Sequence, residues 1–324
     1  MKSSQVLVTG GAGFIGSHLA RRLLDAGAAV RVVDNLSTGF HRNLTEILDR
    51  IDFIEDDIAD RGVCDAAVDG VDTVYHVAAL PSVPRSMADP IGTHNSNVNA
   101  TLHLLEAGRQ AGVRRFVYSS SSSAYGDTAV MPKSESAEPL PRSPYAAAKL
   151  AGELYTLAYA RAGMIEGVAL RYFNVFGPRQ DPNGPYAAVI PLIFRAAMTE
   201  TAITIYGDGR QTRDFTHVDN VVEANLLAGA GPAGKVSGHC VNVGAGSRTS
   251  LLELVRLVEE VTGRRIELHH AAERPGDVRD SQAHLGRASA LLGYTPRVSV
   301  REGIERLWHW YQANPAAIMT AAVG

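Results

Sequence analysis

Short apolar runs alternate with longer amphipathic segments in the first half of the chain. β-Branched and aromatic residues dominate the runs, which predicts buried strands, and the segments between them are long enough for helices. Strands are predicted at Val6–Val8, Val30–Val33, Ile51–Ile54, Thr73–Val77 and Arg115–Tyr118. Helices are predicted at Leu19–Ala26, Asn97–Ala111 and Tyr145–Ala162. Consecutive strand–helix–strand units require a parallel sheet with right-handed crossovers, so the pattern predicts an α/β fold.

The pattern changes after a further predicted strand at Ala169–Phe173. Residues 177–185 are polar and rich in proline and glycine, and the elements that follow are shorter. The apolar run His239–Val243 is expected to rejoin the first sheet. We therefore predict a first domain of residues 1–172, rejoined by about 214–243, and a smaller α/β domain of residues 173–213 and 244–324.

Composition and charge restrict the partners of the protein. Of its 324 residues 45% are hydrophobic and 20% are charged, and the net charge of −3 gives no reason to expect nucleic acid or an anionic membrane as a partner. No apolar run approaches the ~18 residues of a membrane helix and no signal-peptide core follows Met1, so a cytoplasmic protein that binds small molecules is predicted. Cys64 and Cys240 lie far apart without metal-ligand spacing, which predicts buried thiols rather than a disulfide or a metal site.

A glycine pattern directly follows the first predicted strand. Gly10, Gly13 and Gly16 stand at GxxGxxG spacing before an amphipathic segment. Because glycines have no side chains, the backbone amides of this loop, including those of Phe14 and Ile15, can approach a pyrophosphate at the helix N-terminus. This setting predicts a dinucleotide site; a tight turn without a ligand is the alternative.

An acidic residue at the end of the second predicted strand bears on the choice of dinucleotide. The Asp34 carboxylate can accept hydrogen bonds from the adenosine ribose hydroxyls and would repel a 2′-phosphate, which favours NAD over NADP. Arg42 lies nearby and keeps NADP open. Further cofactor contacts are predicted along the same edge of the sheet, at Asn35, Asp57, Ile58, Ala78, Ala79 and Leu80.

Five serines, Ser119–Ser123, follow the predicted strand Arg115–Tyr118. A flexible linker has this composition, but linkers are flanked by polar sequence rather than by a buried strand. Tyr145 and Lys149 stand at the i, i+4 spacing of a predicted helix, so both side chains lie on one face. A neighbouring ammonium group and a bound nicotinamide cation would lower the pKa of the tyrosine toward neutral pH. A helix with one exposed lysine is the alternative.

Together these motifs resemble the extended short-chain dehydrogenase/reductase family and, within it, the nucleotide-sugar epimerases. The resemblance extends over nearly the whole chain. The motifs that carry it are Thr9–Gly16, Asp34, His76–Ala79, Ser119–Gly126, Tyr145–Lys149, Arg171–Asn174, Tyr206–Gly209, Arg213–Phe215 and Arg274–Asp277. The resemblance implies a Rossmann-type doubly wound parallel sheet, a smaller α/β substrate-binding domain and NAD as the cofactor.

The resemblance also implies roles for individual residues. The strand-end serine matching Ser121 hydrogen-bonds the sugar hydroxyl that is oxidised, the tyrosine matching Tyr145 takes its proton, and Lys149 completes the catalytic set. Ser119 and Ser120 are expected to finish the strand, and Ser119 and Tyr172 are implied cofactor contacts. Substrate contacts are implied at Ser82, Arg85, Ser122, Ser123, Asn174, Arg213, Arg274, Asp277 and Ser281, with Arg213 and Arg274 on the diphosphate and Asp277 on the ribose.

The two residues after Ser121 bear on the reaction. Nucleotide-sugar 4,6-dehydratases carry an Asp–Glu pair where Ser122 and Ser123 stand, because elimination of water needs a general acid and a general base. Sugar-nucleotide decarboxylases typically carry a glutamate in this block. Serine supplies neither kind of group near neutral pH, so the resemblance implies inversion at C4 of a UDP-hexose through a transient 4-keto sugar.

Local features of the sequence indicate which sugar the UDP-sugar substrate carries. Residues 177–191 and 82–86 look like the bacterial branch that prefers UDP-N-acetylhexosamines, and Ser281 is small where relatives vary residue size to admit a 2-N-acetyl group. Asp181 would repel a glucuronate, although Arg85 can compensate. The predicted pair is UDP-GlcNAc/UDP-GalNAc, with UDP-Glc/UDP-Gal as a second activity.

Other functions stay open at this point. A UDP-glucuronic acid 4-epimerase and a nucleotide-sugar dehydratase or reductase are the enzymatic alternatives, and an NAD-sensing binding protein is the alternative without catalysis. In relatives the helices that match Asn97–Ala111 and Tyr145–Ala162 pair across a two-fold axis, which implies a homodimer.

Overall fold

The computed structural model of the protein describes residues 5–128, 130–183, 188–272 and 279–319. The strands are β1 (Gln5–Thr9), β2 (Ala29–Val33), β3 (Ile51–Ile54), β4 (Val71–His76), β5 (Arg115–Ser121), β6 (Glu166–Tyr172), β7 (Val175–Phe176), β8 (Ile203–Tyr206), β9 (Thr212–Arg213), β10 (Thr216–His217), β11 (His239–Val243), β12 (Thr249–Ser250) and β13 (Leu268–Ala271). The helices are α1 (Phe14–Asp25), α2 (Arg61–Ala67), α3 (Val83–Ala88), α4 (Pro90–His94), α5 (Ala100–Ala111), α6 (Pro144–Arg161), α7 (Val189–Thr199), α8 (Val218–Ala230), α9 (Ala233–Val236), α10 (Leu251–Thr262), α11 (Gly286–Leu292), α12 (Val300–Ala313) and α13 (Ala316–Met319).

Seven parallel strands form the sheet that positions the site, in the order β11-β6-β5-β4-β1-β2-β3. The chain runs outward from β1 in both directions, so the strand order reverses between β1 and β4. A crevice opens at such a switch point, outside the carboxyl ends of the strands. The predicted Rossmann-type sheet is confirmed, and β11 rejoins it beside β6 as the sequence indicated.

The serine run belongs to the sheet. Strand β5 continues from the predicted run Arg115–Tyr118 through the serines, and Ser119–Ser121 pair with residues 170–172 of β6. Ser119 and Ser120 lie in the strand as expected, and Ser121 is its last residue. A β-ladder uses only backbone N–H and C=O groups, so small polar side chains do not end it. Helix α1 begins at Phe14 rather than at Leu19, and one π turn at Asn95–Asn99 precedes α5.

Apolar side chains cover both faces of the sheet. On one face α1 and α8 pack against the strands around residues such as Leu19 and Val221. On the other face α2, α5 and α6 contribute residues such as Leu104 and Leu157. Both cysteines are free and buried, as predicted. No helix within the described ranges is long and apolar enough to cross a membrane.

A separate apolar cluster lies outside the sheet. Helices α7, α10 and α12 bury residues such as Phe194, Leu254 and Tyr311, and the rings of Phe194 and Tyr311 lie 5.3 Å apart between centroids. A second core is what an independent domain requires. We propose that the domain boundaries are those predicted from the sequence, residues 1–172 with about 214–243, and residues 173–213 with 244–324.

A buried carboxylate joins the segments that leave the sheet. Asp214 is fully buried, and it accepts hydrogen bonds from the backbone amides of Ala245 at 2.7 Å, Ala283 at 2.9 Å and Gly246 at 3.0 Å. These amides follow β11 and precede α11. Asp214 therefore holds the preceding residue, Arg213, at a constant place relative to the edge of the sheet.

Replacement of this carboxylate should destabilise the fold. In Asp214→Asn the side chain loses an acceptor and turns an amide nitrogen toward backbone N–H donors, so the free energy of unfolding should fall by about 2–4 kcal/mol. Urea denaturation followed by circular dichroism measures the change. The exposed Asp49 supplies the control, since Asp49→Asn should stay within about 0.5 kcal/mol of the parent. Equal effects of the two substitutions would contradict this role.

Candidate active site

The glycine loop between β1 and the first turn of α1 contains Gly10, Gly11, Gly13 and Gly16, and the motif glycines Gly10 and Gly16 are closely packed. Gly10 has a φ of +68°, and a Cβ atom there would lie 2.7 Å from the Cα of Ala78. A Cβ atom at Gly16 would collide with the carbonyl oxygen of Gly10. Helix α1 starts after Gly13, and no side chain in the described part of the chain caps it. Its first-turn amides, those of Phe14, Ile15 and Gly16, therefore fit the pyrophosphate of NAD.

Asp34 is tied to this loop. One carboxylate oxygen accepts the amide of Ala12 at 2.9 Å and the other accepts the amide of Leu36 at 2.8 Å. Burial raises the pKa of Asp34, although these backbone hydrogen bonds oppose the rise. A carboxylate has about four lone-pair sites, so it can still accept a ribose hydroxyl. Arg42 lies 3.7 Å from the ring centroid of Phe40, an arrangement that favours neither dinucleotide.

The cofactor residues predicted after β2 and β3 contact one another. The Asn35 side-chain amide donates to the Asp57 carboxylate at 2.9 Å. Ile58, the residue after Asp57, is buried. Because all strands of the sheet are parallel, these residues lie at the same edge as the glycine loop. The structure therefore groups this set with Asp34.

A chain of hydrogen bonds fixes the segment after β4. The amide of Ala78 donates to Thr9 Oγ1 at 3.1 Å, and Thr9 Oγ1 lies 2.7 Å from His76 Nδ1. On its other side His76 Nε2 lies 2.9 Å from Thr101 Oγ1. Asn97 accepts the Leu80 amide at 2.7 Å and donates to the Leu80 carbonyl at 3.1 Å.

His76 stays neutral in this chain, because burial lowers its pKa to about 3. These hydrogen bonds hold the segment of residues 78–80 in place. Sequence reasoning missed the supporting roles of His76, Thr101 and Asn97. A histidine inside a predicted buried strand was the available signal, since buried polar groups need partners.

Ser121, Tyr145 and Lys149 come together at the carboxyl end of β5. Ser143 caps α6 through the amide of Ala146, and Pro144 takes its first position, so Tyr145 stands in the first turn. Ser121 lies near the Tyr145 hydroxyl and acts to lower its pKa. Lys149, one turn later, is only 3% exposed, and its Nζ lies 4.5 Å from the ring centroid of Tyr118.

Burial changes the charge preferences of both groups on α6. It raises the pKa of Tyr145, although Ser121 opposes the rise. Burial also lowers the pKa of Lys149 to about 7, with Glu153 opposing the change. The expected lowering of the tyrosine pKa by a lysine ammonium is therefore not found in the protein alone. A positively charged nicotinamide would supply such a shift.

A buried ion pair lies beneath the catalytic candidates. Arg171 on β6 donates to both carboxylate oxygens of Glu153, at 2.6 and 2.9 Å, and Ser120 donates to the same carboxylate at 2.7 Å. The Arg171 guanidinium lies 4.5 Å from the ring centroid of Tyr125. This ion pair anchors α6 to β5 and β6. Sequence reasoning missed it; an acid one turn after Lys149 was the available signal.

Ser119 and Tyr172 form an internal pair. Their hydroxyl oxygens lie 2.8 Å apart, and the Tyr172 hydroxyl also accepts the Asn225 side-chain amide at 2.7 Å. Both residues are buried. Both hydroxyl groups therefore already have hydrogen-bond partners within the protein. Their contact with a cofactor stays a prediction.

The structure brings only part of the predicted substrate set together. The Arg213 guanidinium donates to the carbonyls of Thr212 at 2.9 Å and Arg279 at 3.0 Å, and the amide of the buried Ser281 donates to the same Thr212 carbonyl at 3.1 Å. Arg213 and Ser281 are therefore neighbours. Arg274 and Asp277 lie outside the described residues.

The other predicted substrate residues occupy separate places. Asn174 is exposed after β6, and Ser82, at a φ of +102°, caps α3 by accepting the Arg85 amide at 3.2 Å. Among the described residues no hydrogen bond or ion pair joins these three to Ser121. Asp181 acts electrostatically on Tyr311 of the second core, and its carboxylate accepts the Asn183 amide at 3.1 Å.

Comparison with known proteins identifies relatives over almost the full chain. Residues 6–244 match the NAD dependent epimerase/dehydratase family. The UDP-glucose 4-epimerase of Mycolicibacterium smegmatis is 40% identical over 312 residues, which cover 95% of this chain and 98% of that protein. The crystal structure of the Thermotoga maritima UDP-glucose 4-epimerase with UDP-glucose has a TM-score of 0.91 at 37% identity, covering 96% of this chain and 99% of that one. The UDP-N-acetylglucosamine 4-epimerase of Methanobrevibacter ruminantium M1, in complex with UDP-N-acetylmuramic acid, has a TM-score of 0.90 at 37% identity, covering 97% of this chain and 100% of that one.

The buried Lys149 should make stability depend on pH. With a folded-state pKa of about 7 against an ordinary value of 10.5, the unfolded chain binds more protons than the folded protein between these two values. The free energy of unfolding should therefore rise with pH in this window. Lys149→Met removes the group, so its gain in stability over the parent should be largest below about pH 7 and shrink as the pH rises.

Urea denaturation of the protein without cofactor, from about pH 6 to about pH 9, measures this difference. The exposed Lys235 is the matched control, and Lys235→Met should follow the parent at every pH. A stability gain of Lys149→Met that stays constant over the series would show that Lys149 is not desolvated in solution.

Proposed function

Because the chain belongs to the NAD dependent epimerase/dehydratase family, we propose that it inverts C4 of a UDP-hexose, with UDP-GlcNAc/UDP-GalNAc as its main pair and UDP-Glc/UDP-Gal as a second. The protein is an NAD-dependent isomerase, and the glycine loop and Asp34 fit that cofactor. NAD, when bound, supplies a reversible hydride acceptor for C4 of the sugar and is not consumed.

The residues at the end of β5 handle the proton and the oxygen at C4. Tyr145, as the phenolate, accepts the proton of the C4 hydroxyl while Ser121 hydrogen-bonds the same oxygen. After the 4-keto sugar has turned in the pocket, Tyr145 returns the proton and C4 is inverted. Lys149 contributes positive charge near the phenolate whenever it is protonated, which its pKa of about 7 permits near neutral pH.

The serine pair after Ser121 is the observation that carries the choice of reaction. Ser122 and Ser123 are half-buried in the turn after β5, next to Ser121, where a dehydratase needs an acid and a base. Hydroxyl groups do not exchange protons at a useful rate near neutral pH in that role. A C4 epimerase needs no further acid or base there.

Ser281 supports an N-acetylated sugar, Asp181 disfavours a uronic acid, and Arg213 concerns the diphosphate. Ser281 is small and lies beside Arg213, one of the residues proposed to hold the diphosphate. The guanidinium of Arg213 suits phosphate oxygens by its planar geometry. The negative charge of Asp181 disfavours a uronic acid. We include Asn174, Arg274 and Asp277 in the proposed nucleotide site on the resemblance of their motifs, and a cytoplasmic location as the sequence indicates.

The reaction can be followed by proton NMR. Purified protein incubated with UDP-GlcNAc and no added cofactor should form UDP-GalNAc, because a cofactor that is not consumed can stay bound. Tyr145→Phe lacks the base and should lower kcat by at least about a hundredfold. Turnover of this variant within tenfold of the parent would contradict the assignment of Tyr145.

Parallel incubations separate the alternatives. UDP-Glc tests the second pair, and UDP-GlcA tests the uronic acid alternative, for which Arg85 would balance the substrate charge. A 4-keto or dehydrated product would assign the protein to the dehydratases. Binding of NAD without turnover of any of these sugars would support the NAD-sensing alternative.

We also propose a homodimer. Large apolar side chains are exposed on α6, at Leu154 and Tyr155, and on the adjoining helices α3 and α4, at Met87 and Ile91. Helices α3 and α4 both pack against α6, so these side chains belong to neighbouring elements. Large apolar side chains exposed together on neighbouring helices mark interaction sites, and a second copy of the chain would cover them.

A charge on this surface should weaken the dimer. Leu154→Glu places a carboxylate in the proposed interface, and the dissociation constant should rise by at least about tenfold because the charge must be desolvated. Sedimentation velocity over a concentration series measures it. Leu140 is an exposed leucine outside these helices, and Leu140→Glu should leave the association unchanged. A parent protein that is monomeric at all concentrations would contradict the proposal.

A further inference from the structure

The hydroxyl of Ser123 is directed at the catalytic candidate Ser121 rather than at open space. Ser123 Oγ donates a hydrogen bond to Ser121 Oγ at 2.9 Å. The backbone amide of Ser123 donates to the same oxygen at 3.2 Å, since Ser121 caps the 3₁₀ turn Ser122–Tyr125. The Ser121 oxygen thus receives two hydrogen bonds from one residue.

Two received hydrogen bonds determine what the Ser121 hydroxyl can still do. A serine hydroxyl has one hydrogen to donate and two lone pairs to accept with. Ser123 uses both lone pairs, so Ser121 can take part in a further hydrogen bond only as the donor. The remaining polar neighbour with which the structure pairs Ser121 is the Tyr145 hydroxyl.

We propose that Ser123 is a positioning residue that makes Ser121 an obligate hydrogen-bond donor toward Tyr145 and toward the C4 oxygen of the sugar. This inference rests on the proposed C4 epimerase reaction and assigns a function to a residue outside the catalytic set. The sequence predicted that Ser123 contacts the sugar. Its hydrogen bond to Ser121 gives it a different role.

A Ser121 hydroxyl that can only donate suits the Tyr145 phenolate and the 4-keto sugar better than the phenol and the alcohol. The Tyr145 phenolate and the C4 carbonyl oxygen of the 4-keto sugar can only accept hydrogen bonds, whereas a phenol and an alcohol can also donate. During oxidation the C4 hydroxyl proton passes to the Tyr145 phenolate, which becomes the phenol, while the C4 hydride leaves for the cofactor. Ser121 donates its single hydrogen first to the phenolate and then to the new carbonyl. It thereby favours the basic form of Tyr145 before the transfer and stabilises the developing ketone during it, and the second effect accelerates the reaction.

The effect of Ser123 on the pKa of Tyr145 can be separated from the effects of the other charged groups around Tyr145. Lys149 lies one turn further along α6, and Glu153 lies beneath it. The titratable groups on other elements packed against this part of α6 are Tyr118 on β5, Arg85 on α3, His94 on α4, Tyr125 in the 3₁₀ turn, Arg171 on β6 and Cys240 on β11. Lys149 also acts on His76 of β4. A change at Ser123 leaves all of them in place.

The test compares Ser123→Ala, Ser123→Thr and Ser122→Ala as holoenzymes. Ser123→Ala removes the side-chain donor and keeps the backbone donor, so kcat should fall about two- to tenfold with KM nearly unchanged, and the Tyr145 midpoint should rise by about half to one pH unit. Ser123→Thr keeps a hydroxyl and should restore both values. Ser122 makes no hydrogen bond to Ser121 in the described structure, so Ser122→Ala should leave the Tyr145 midpoint in place, whatever its effect on sugar binding.

Two readouts keep this inference distinct from the proposed reaction. The pH profile of kcat reports on turnover, and ultraviolet titration of tyrosinate, taken as the difference from Tyr145→Phe in each background, reports on Tyr145 without any sugar. Absence of UDP-sugar turnover in the parent would overturn the proposed function. An unchanged tyrosinate midpoint in Ser123→Ala, an equal shift in Ser122→Ala, or no recovery in Ser123→Thr would overturn the role of Ser123.

Discussion

The contact of helix α6 with strands β5 and β6 is the constraint on which the site depends. Tyr145 and Lys149 lie on the helix and Ser121 ends a strand, so their distances are set by how the helix sits on the sheet. The Glu153–Arg171 ion pair fixes that seating, since both groups are buried and a missing partner would leave an uncompensated charge. Ser120 adds a third tie from β5 to the same carboxylate.

The same burial that positions these groups also disfavours their charged forms. The protein by itself holds Tyr145 toward the phenol and Lys149 toward the neutral amine. We propose Tyr145 as the base, and the positive charge of a bound nicotinamide would favour its phenolate. Under that proposal the base depends on the bound cofactor, because burial disfavours the phenolate without it.

Two kinds of support hold the proposed ligands. The edge of the sheet is rigid: the glycine loop packs on Ala78, and the neutral His76 links β1, β4 and α5 through hydrogen bonds. Asp214 accepts hydrogen bonds from backbone amides after β11 and before α11, and so joins the second core to this edge. Its neighbour Arg213 is a proposed diphosphate ligand. A rigid grip on the cofactor and the nucleotide, with small serines around the sugar, is what rotation of a keto sugar between two hydride transfers requires.

The sequence by itself determined the α/β architecture, the dinucleotide loop and the Tyr145–Lys149 pair. These features depend on residues close along the chain: apolar periodicity, glycines whose missing side chains allow close backbone contact, and a spacing of one helical turn. The tertiary structure alone decided the partners of Glu153, His76, Asp214 and the Ser123 hydroxyl. Those contacts join atoms from distant segments, or select one hydrogen-bond direction among several, and a buried polar group takes whichever partner the packed fold brings within reach.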